Sequence, residues 1–377
     1  MRVVVVGAGA WGLPAAAELA RRGHEVSLLD RYGPANQLSS SSGPTRIWRV
    51  SHPDRLRTRL ALRSVDAWAR LESITGITAT LRRGLLWRDE TTWTSVAEAL
   101  AAEGVAHTVV DPHDVGRWFP GLRPDGRTAV WQDDAGPVLA SSALDSQVSM
   151  LATSRGELVT GAHVREVDTS GDAVVVRCAD GRTFRADVVV LASGPGAEAL
   201  LRPLGVDIEF DPVLEQVCHV GRGSETDDLP CIYEGPIGDE PGMYGMPTPG
   251  RGYKLGIDQQ LRSWRDDDHD RVPDPGVTAA ISARAARAFE SLDPAVIDAQ
   301  VCSWTDSPDG RFVIDTIHDG RVVVAAGDSG EGFKYSALMG LVLADLAEGQ
   351  APDDDVAALG LARFDDGSPH VRPRLGL

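Results

Sequence analysis

Lysine is nearly missing from this chain. Of 37 basic side chains only Lys254 and Lys334 are lysines, and the other 35 are arginines. Wherever a surface cation would serve, the sequence uses arginine. A retained lysine therefore marks a place where a compact ammonium is needed rather than a planar fork. Positive charge is short overall: 55 acids leave a net charge of −18, which argues against nucleic acid or an anionic membrane as a partner. Apolar runs are too short to span a bilayer. Cysteine is sparse, and Cys178, Cys218, Cys231 and Cys302 follow neither metal-ligand nor disulfide-framework spacing, so no metal site is expected. Internal repeats are absent. The length of 377 residues exceeds one simple core and suggests two domains.

What is present begins at the first residue. Val3 to Val6 is an unbroken β-branched run, suited to a buried parallel strand. It enters Gly7-Ala8-Gly9-Ala10-Trp11-Gly12, then an Ala- and Leu-rich helix over Leu13–Arg22 that Gly23 can stop. A second strand, Glu25–Leu29, ends on Asp30. In a dinucleotide-binding unit Gly7 makes the tight turn, Gly9 lets the backbone approach a pyrophosphate, and Gly12 allows close helix–strand packing. The phosphate then lies on the helix start, and Asp30 accepts from a ribose hydroxyl. Residues 1–20 could pass for a signal peptide, but cleavage would destroy this fingerprint, so a cytoplasmic protein is expected.

Arg31 to Pro53 is polar and shows no strand or helix period. It holds four serines (39–42) followed by Arg46 and Arg49, which suits either anion or cofactor contact or a flexible linker. Helical spacing resumes over Asp54–Ser73. Short strands (Gly84–Trp87, His107–Val110, Ala129–Gln132) alternate with a helix near Ser95–Ala102, and Ser141 or Ser142 can cap the next helix, which ends before Gly156. Ala162–Val167, Ala173–Cys178 and Thr183–Leu191 read as strands joined by turns. Further strands are expected at Leu214–Val220, Met243–Met246 and Tyr253–Ile257. The acidic loop Asp266-Asp267-Asp268 and a helix over Val277–Leu292 follow. After strands at Phe312–Asp315 and Arg321–Ala326, Gly327-Asp328-Ser329-Gly330-Glu331-Gly332 opens a final helix through Leu346.

A nucleotide-binding start, a central strand meander and a late glycine turn imply FAD more than NAD. At 1–60, 243–258 and 300–340 the chain resembles the glycine/D-amino-acid oxidase superfamily, and within it the monomeric sarcosine oxidase and N-methyltryptophan oxidase group. The resemblance implies an α/β protein with a Rossmann-like FAD-binding domain (1–80, 141–205 and 306–377) and an inserted antiparallel-sheet substrate domain (81–140 and 206–305). It implies FAD held by Gly7, Gly9, Gly12, Asp30, Arg31, Ser41, Thr45, Arg46, Val164, Gly327, Gly330, Gly332 and Lys334, with Cys302 as a covalent thioether link. It places Arg46 beside the flavin, Arg49 and Lys334 on the substrate carboxylate, Lys254 at the flavin where O2 reacts, and Tyr244 in the pocket. The two lysines of the chain are thus the two that such an active site uses. The implied reaction is oxidation of a carboxylated secondary or cyclic amine, an amino or imino acid, by a monomeric enzyme with O2 as acceptor and H2O2 as product. The alternatives are a flavin-dependent dehydrogenase that passes electrons to a carrier and a flavin-binding protein without turnover.

The chain departs from this group where substrates differ. Ser42 and Asp258 stand where the sarcosine oxidases have histidines, Trp304 replaces a tyrosine, Glu331 replaces a histidine, and Asp328 replaces an apolar residue. A pocket that loses imidazoles and gains acids argues against sarcosine itself. It favours a substrate with an additional cationic or hydrogen-bonding group, with Asp258 joining the catalytic set.

Overall fold

The run Val3–Val6 is buried along its whole length because both faces of its strand are covered. In the computed structural model, which describes residues 1–266 and 268–364, this strand (Arg2–Val6) is central in a six-stranded sheet. The sheet order is Val313–Ile317, Val322–Ala326, Val188–Leu191, Arg2–Val6, Glu25–Leu29, Gly156–Val159. All neighbours are parallel except the first pair. Val3 and Val5 face one core, shared with the helices Gly12–Arg21 and Ser336–Ala347. Val4 and Val6 face another, shared with the three-stranded meander Val164–Asp168, Val174–Cys178, Thr183–Ala186. The two helices cross so closely that a Cβ on Gly340 would lie 2.8 Å from Pro14 Cβ.

The second large sheet has eight strands: Val296–Asp306, Asp211–Val220, Gly252–Ser263, Met243–Thr248, Cys231–Glu234, Leu85–Arg88, Ala129–Gln132 and Thr108–Val110. All its pairs are antiparallel except Cys231–Glu234 with Leu85–Arg88. Helix Pro275–Ala288 packs on it, N-capped by the Asp274 side chain accepting from Val277 N. The chain therefore has the α/β architecture expected, a Rossmann-like sheet beside a large antiparallel one. Among the described residues no helix is long and apolar enough to cross a membrane, and all four cysteines are free thiols.

Several local expectations are corrected. The stretch expected to be irregular contains a strand, Thr45–Trp48, paired with Gly136–Leu139; a four-residue strand is too short to show a period. The run Thr183–Leu191 is divided at Asp187, whose carboxylate accepts from the Arg2 backbone and guanidinium at 2.7 and 2.6 Å. Its first half stays in the meander and its second joins the parallel sheet. Neither Ser141 nor Ser142 caps the next helix, which starts at Ala140 without a side-chain cap. The helix expected to reach Leu292 ends at Ala288, and the helix after Gly332 opens with a 3-10 turn, Gly332–Tyr335. Asp267 of the acidic loop and the end of the segment 306–377, residues 365–377, lie outside the described residues.

Candidate functional site

The site starts where the first strand turns into the first helix. Gly7 has φ +101°, and a Cβ there would fall 2.3 Å from the Ala192 carbonyl oxygen; one on Gly12 would fall 1.9 Å from the Gly7 oxygen. Side chains are excluded from this turn by backbone on both sides. Gly9 is approached by Ser41, whose Oγ accepts from Ala10 N at 2.8 Å. Asp30 accepts from Ala8 N at 2.8 Å, Tyr32 N at 2.8 Å and Gly33 N at 2.6 Å. The carboxylate that would meet a ribose is thus fixed in place by three amides.

One cleft runs from this turn into the large sheet. Its wall includes Gly7, Gly9, Asp30, Arg31, Ser41, Arg46, Arg49, Val164, Tyr244, Lys254, Cys302, Gly327, Gly330, Gly332 and Lys334. Of the residues singled out from sequence, Gly12, Ser42, Thr45 and Asp258 are outside that lining. Gly12 serves the packing of the turn. Thr45 supports the site instead, its carbonyl accepting from Lys254 Nζ at 2.8 Å and its hydroxyl bonding Thr248 at 2.7 Å. Asp258 adds, after burial, to the raising of the Glu215 carboxyl. Asp328, Trp304 and Glu331 do line the cleft.

Adjacent strands converge on Cys302. Glu215 is its cross-strand partner, and Tyr244 donates to Glu215 Oε1 at 3.2 Å. The Tyr244 ring fits because residue 256 is glycine: a Cβ there would lie 2.4 Å from Tyr244 Cζ. Burial, then the charge of Asp258, pushes Glu215 well above the usual carboxylate range. Burial, then Glu215, raises the Cys302 thiol, with Arg46, Lys254 and Arg271 opposing. Lys254 is brought down to about 7 by burial and then by Arg46. Arg46 is held by the carbonyls of Thr45 and Ser40 at 2.8 Å and Ser42 at 2.5 Å, and lies over Phe333 at 5.6 Å.

Beyond them stands a buried ionic cluster. Arg49 lies against the stacked Trp87 and Tyr233 rings, 4.7 and 5.7 Å from their centroids. Its NH1 donates to Ser51 O and to His52 Nδ1, and its NH2 to Glu331 Oε1 at 2.9 Å. Lys334 Nζ is 3.4 Å from the same oxygen, and Arg57 Nε is 3.4 Å from Oε2. Burial alone would raise the Glu331 carboxyl, but Lys334, Arg57 and Arg49 together hold it well below the usual range, so it is ionised. Burial lowers Lys334 to about 7 against the pull of Glu331. His52 is kept neutral by burial and by Arg49, which fits Nδ1 as an acceptor and leaves Nε2, 3.1 Å away, to meet the Tyr335 hydroxyl. Glu331 is thus no bare acid awaiting a cationic group, as its sequence position suggested; it is tied to the cations beside it.

Glu215, His52 and Arg57 were not singled out from sequence. Only Glu215 left a signal, as an acid inside the apolar run of Asp211–Val220.

The cleft carries the mark of a ligand site. Ser193 Oγ, Trp304 Nε1, Thr305 Oγ1 and Glu331 Oε2 lie on residues of its wall, are buried, and have no hydrogen-bond partner. Buried polar atoms are seldom left so. With the glycine turn at one end, a long polar cofactor such as FAD fits this donor and acceptor set.

Comparison with known proteins agrees. The family model described as DAO, FAD dependent oxidoreductase, matches residues 2–346. The chain is 27% identical to monomeric sarcosine oxidase from Bacillus sp. strain B-0618, over 96% of this chain and 95% of that protein. It is 26% identical to N-methyl-L-tryptophan oxidase from Citrobacter koseri, over 96% and 98%. Among solved structures it is similar to the open form of NikD, an unusual amino acid oxidase essential for nikkomycin biosynthesis, with TM-score 0.85 and 26% identity over 95% of this chain and 96% of that one. The chain belongs to the DAO family of FAD-dependent oxidoreductases.

Proposed function

We propose that this oxidoreductase acts on a carboxylated secondary or cyclic amine, an amino or imino acid, and passes the electrons to O2 to give H2O2. The observation that carries this reading is the meeting of both lysines of the chain, each buried, in one cleft with Arg46, Arg49 and Cys302. That the similar proteins include sarcosine oxidases and an amino acid oxidase supports the substrate class.

Gly7, Gly9, Asp30, Ser41 and the 327–332 turn would hold FAD, with Cys302 as its thioether anchor. Bound FAD would supply the acceptor for a hydride from the substrate carbon next to nitrogen. Arg49 and Lys334 would clamp the substrate carboxylate and fix that C–H in position, so the chain's contribution to this step is mainly orientation. The Lys254 ammonium, anchored on Thr45 O, would stabilise negative charge developing on O2. Tyr244 and Glu215 would form the neutral floor of the pocket. We further assign 1–80, 141–205 and 306–377 to the cofactor domain and 81–140 and 206–305 to the substrate domain, in a monomeric, cytoplasmic protein.

The test is anaerobic bleaching of the flavin absorbance across a panel of secondary and cyclic amino acids, followed by oxygenation with peroxide measured. Bleaching by none of them removes the substrate reading. Bleaching without peroxide on oxygenation assigns the electrons to a carrier instead.

A further inference from the structure

The anion clamp of the proposed site already holds an anion, Glu331. Its Oε1 accepts from Arg49 at 2.9 Å and lies 3.4 Å from Lys334 Nζ. Its Oε2 is buried with no hydrogen-bond partner, although Arg57 Nε stands only 3.4 Å away. One oxygen is shared by two cations, while the other meets only Arg57, as an ion pair at 3.4 Å without a hydrogen bond. Turning the carboxylate toward Arg57 would satisfy Oε2 and uncover Arg49 and Lys334. The geometry sorts the three cations, since Arg49 and Lys334 line the cleft and Arg57 does not. The charges sort as well: with His52 neutral and Asp54 also on Arg57, 3.4 Å away, three cations and two carboxylates leave room for one further anion.

Resting on the amino-acid reading of this cleft, we propose that Glu331 is an internal occupant of the anion clamp, which passes from Arg49 and Lys334 to Arg57 when a substrate carboxylate binds. The exchange keeps buried cations paired in both states, and unpaired buried charge is strongly unfavourable. It also sets a threshold for binding. A ligand meets only the fraction of molecules whose clamp is open, so its apparent affinity is reduced by that fraction. A carboxylate can displace Glu331 from two cations; an uncharged group of the same shape cannot.

The experiment is calorimetric titration of the FAD-loaded protein with benzoate, and with benzamide as the uncharged control. Wild type is compared with Glu331→Gln and Glu331→Asp. The aspartate variant keeps the charge but shortens the reach, so it separates occupation of the clamp from the net field. Both variants are expected to bind benzoate at least about tenfold tighter, as the open fraction rises from roughly a tenth toward one. Equal or weaker binding by Glu331→Asp overturns the exchange even if Glu331→Gln binds tighter, since net charge alone would then explain the gain. Should either variant fail to fold, a structure of the wild type with benzoate decides: Glu331 on Arg57 supports the proposal, and Glu331 still on Arg49 contradicts it. Benzoate binding no better than benzamide in every protein removes the clamp itself, and the proposed substrate class with it. Tight and equal benzoate binding removes only the exchange.

Discussion

Arg49 and Glu331 are 282 residues apart in sequence and meet at 2.9 Å inside the protein, each less than a tenth exposed. The pair places this part of the cleft wall under electrostatic control, and the chemistry expected there depends on how its charges are shared.

Changing Arg49 to Lys is predicted to raise KM for a carboxylated substrate by about ten- to a hundredfold. The charge is kept, but the fork and its stacking on Trp87 are lost. Steady-state kinetics on the best substrate of the panel checks this, and an unchanged KM would show that Arg49 does not touch the substrate.

The pH dependence of anion binding follows from Lys334, whose pKa is lowered to about 7. Below that pH the ammonium is present and the clamp is complete. Above it the proton is lost, and affinity for a carboxylate should fall toward tenfold per pH unit. Acetate, which carries no amine to titrate, is the probe, and Lys334→Arg should flatten the profile between pH 6 and 9, since a guanidinium stays charged throughout that range.

Lys254→Met is expected to slow reoxidation of the reduced protein by O2 by about a hundredfold while changing its reduction by substrate little. The Lys254 ammonium is likewise present only below about pH 7, so wild-type reoxidation should decline above that value. Stopped-flow traces slowed equally in both half-reactions would reassign this lysine.

Cys302→Ser is predicted to release FAD on acid precipitation, whereas wild-type protein stays yellow. Gly7→Ala acts earlier, because its Cβ would meet the Ala192 carbonyl in a left-handed turn. It should cost about 1–3 kcal/mol of stability and abolish flavin retention, as read by thermal denaturation and absorbance.

Much of this arrangement is legible in the sequence, for identifiable reasons. The Val3–Val6 run, the glycine turn and Asp30 are local in sequence, and each carries its own steric or hydrogen-bonding demand. Scarcity made Lys254 and Lys334 stand out among the arginines. Thr45–Trp48 was hidden because four residues show no period and its partner, Gly136–Leu139, lies about ninety residues away. The ion cluster was hidden for the same reason on a larger scale. Arg57 looks like a surface residue of an amphipathic helix until Glu331 arrives from the far end of the chain. Asp258 looked like a pocket acid, and the strand Gly252–Ser263 leaves it outside the cleft wall.

The central claim is that the cleft oxidises an amine held by its carboxylate. Anaerobic stopped-flow reduction of the flavin by one amino acid and by its carboxamide tests it most directly. The account predicts reduction by the acid at least about a hundredfold faster at equal concentration, because a site built around a charged partner rejects a ligand that leaves its groups unpaired. Equal rates would contradict it and make the protein a general amine oxidase.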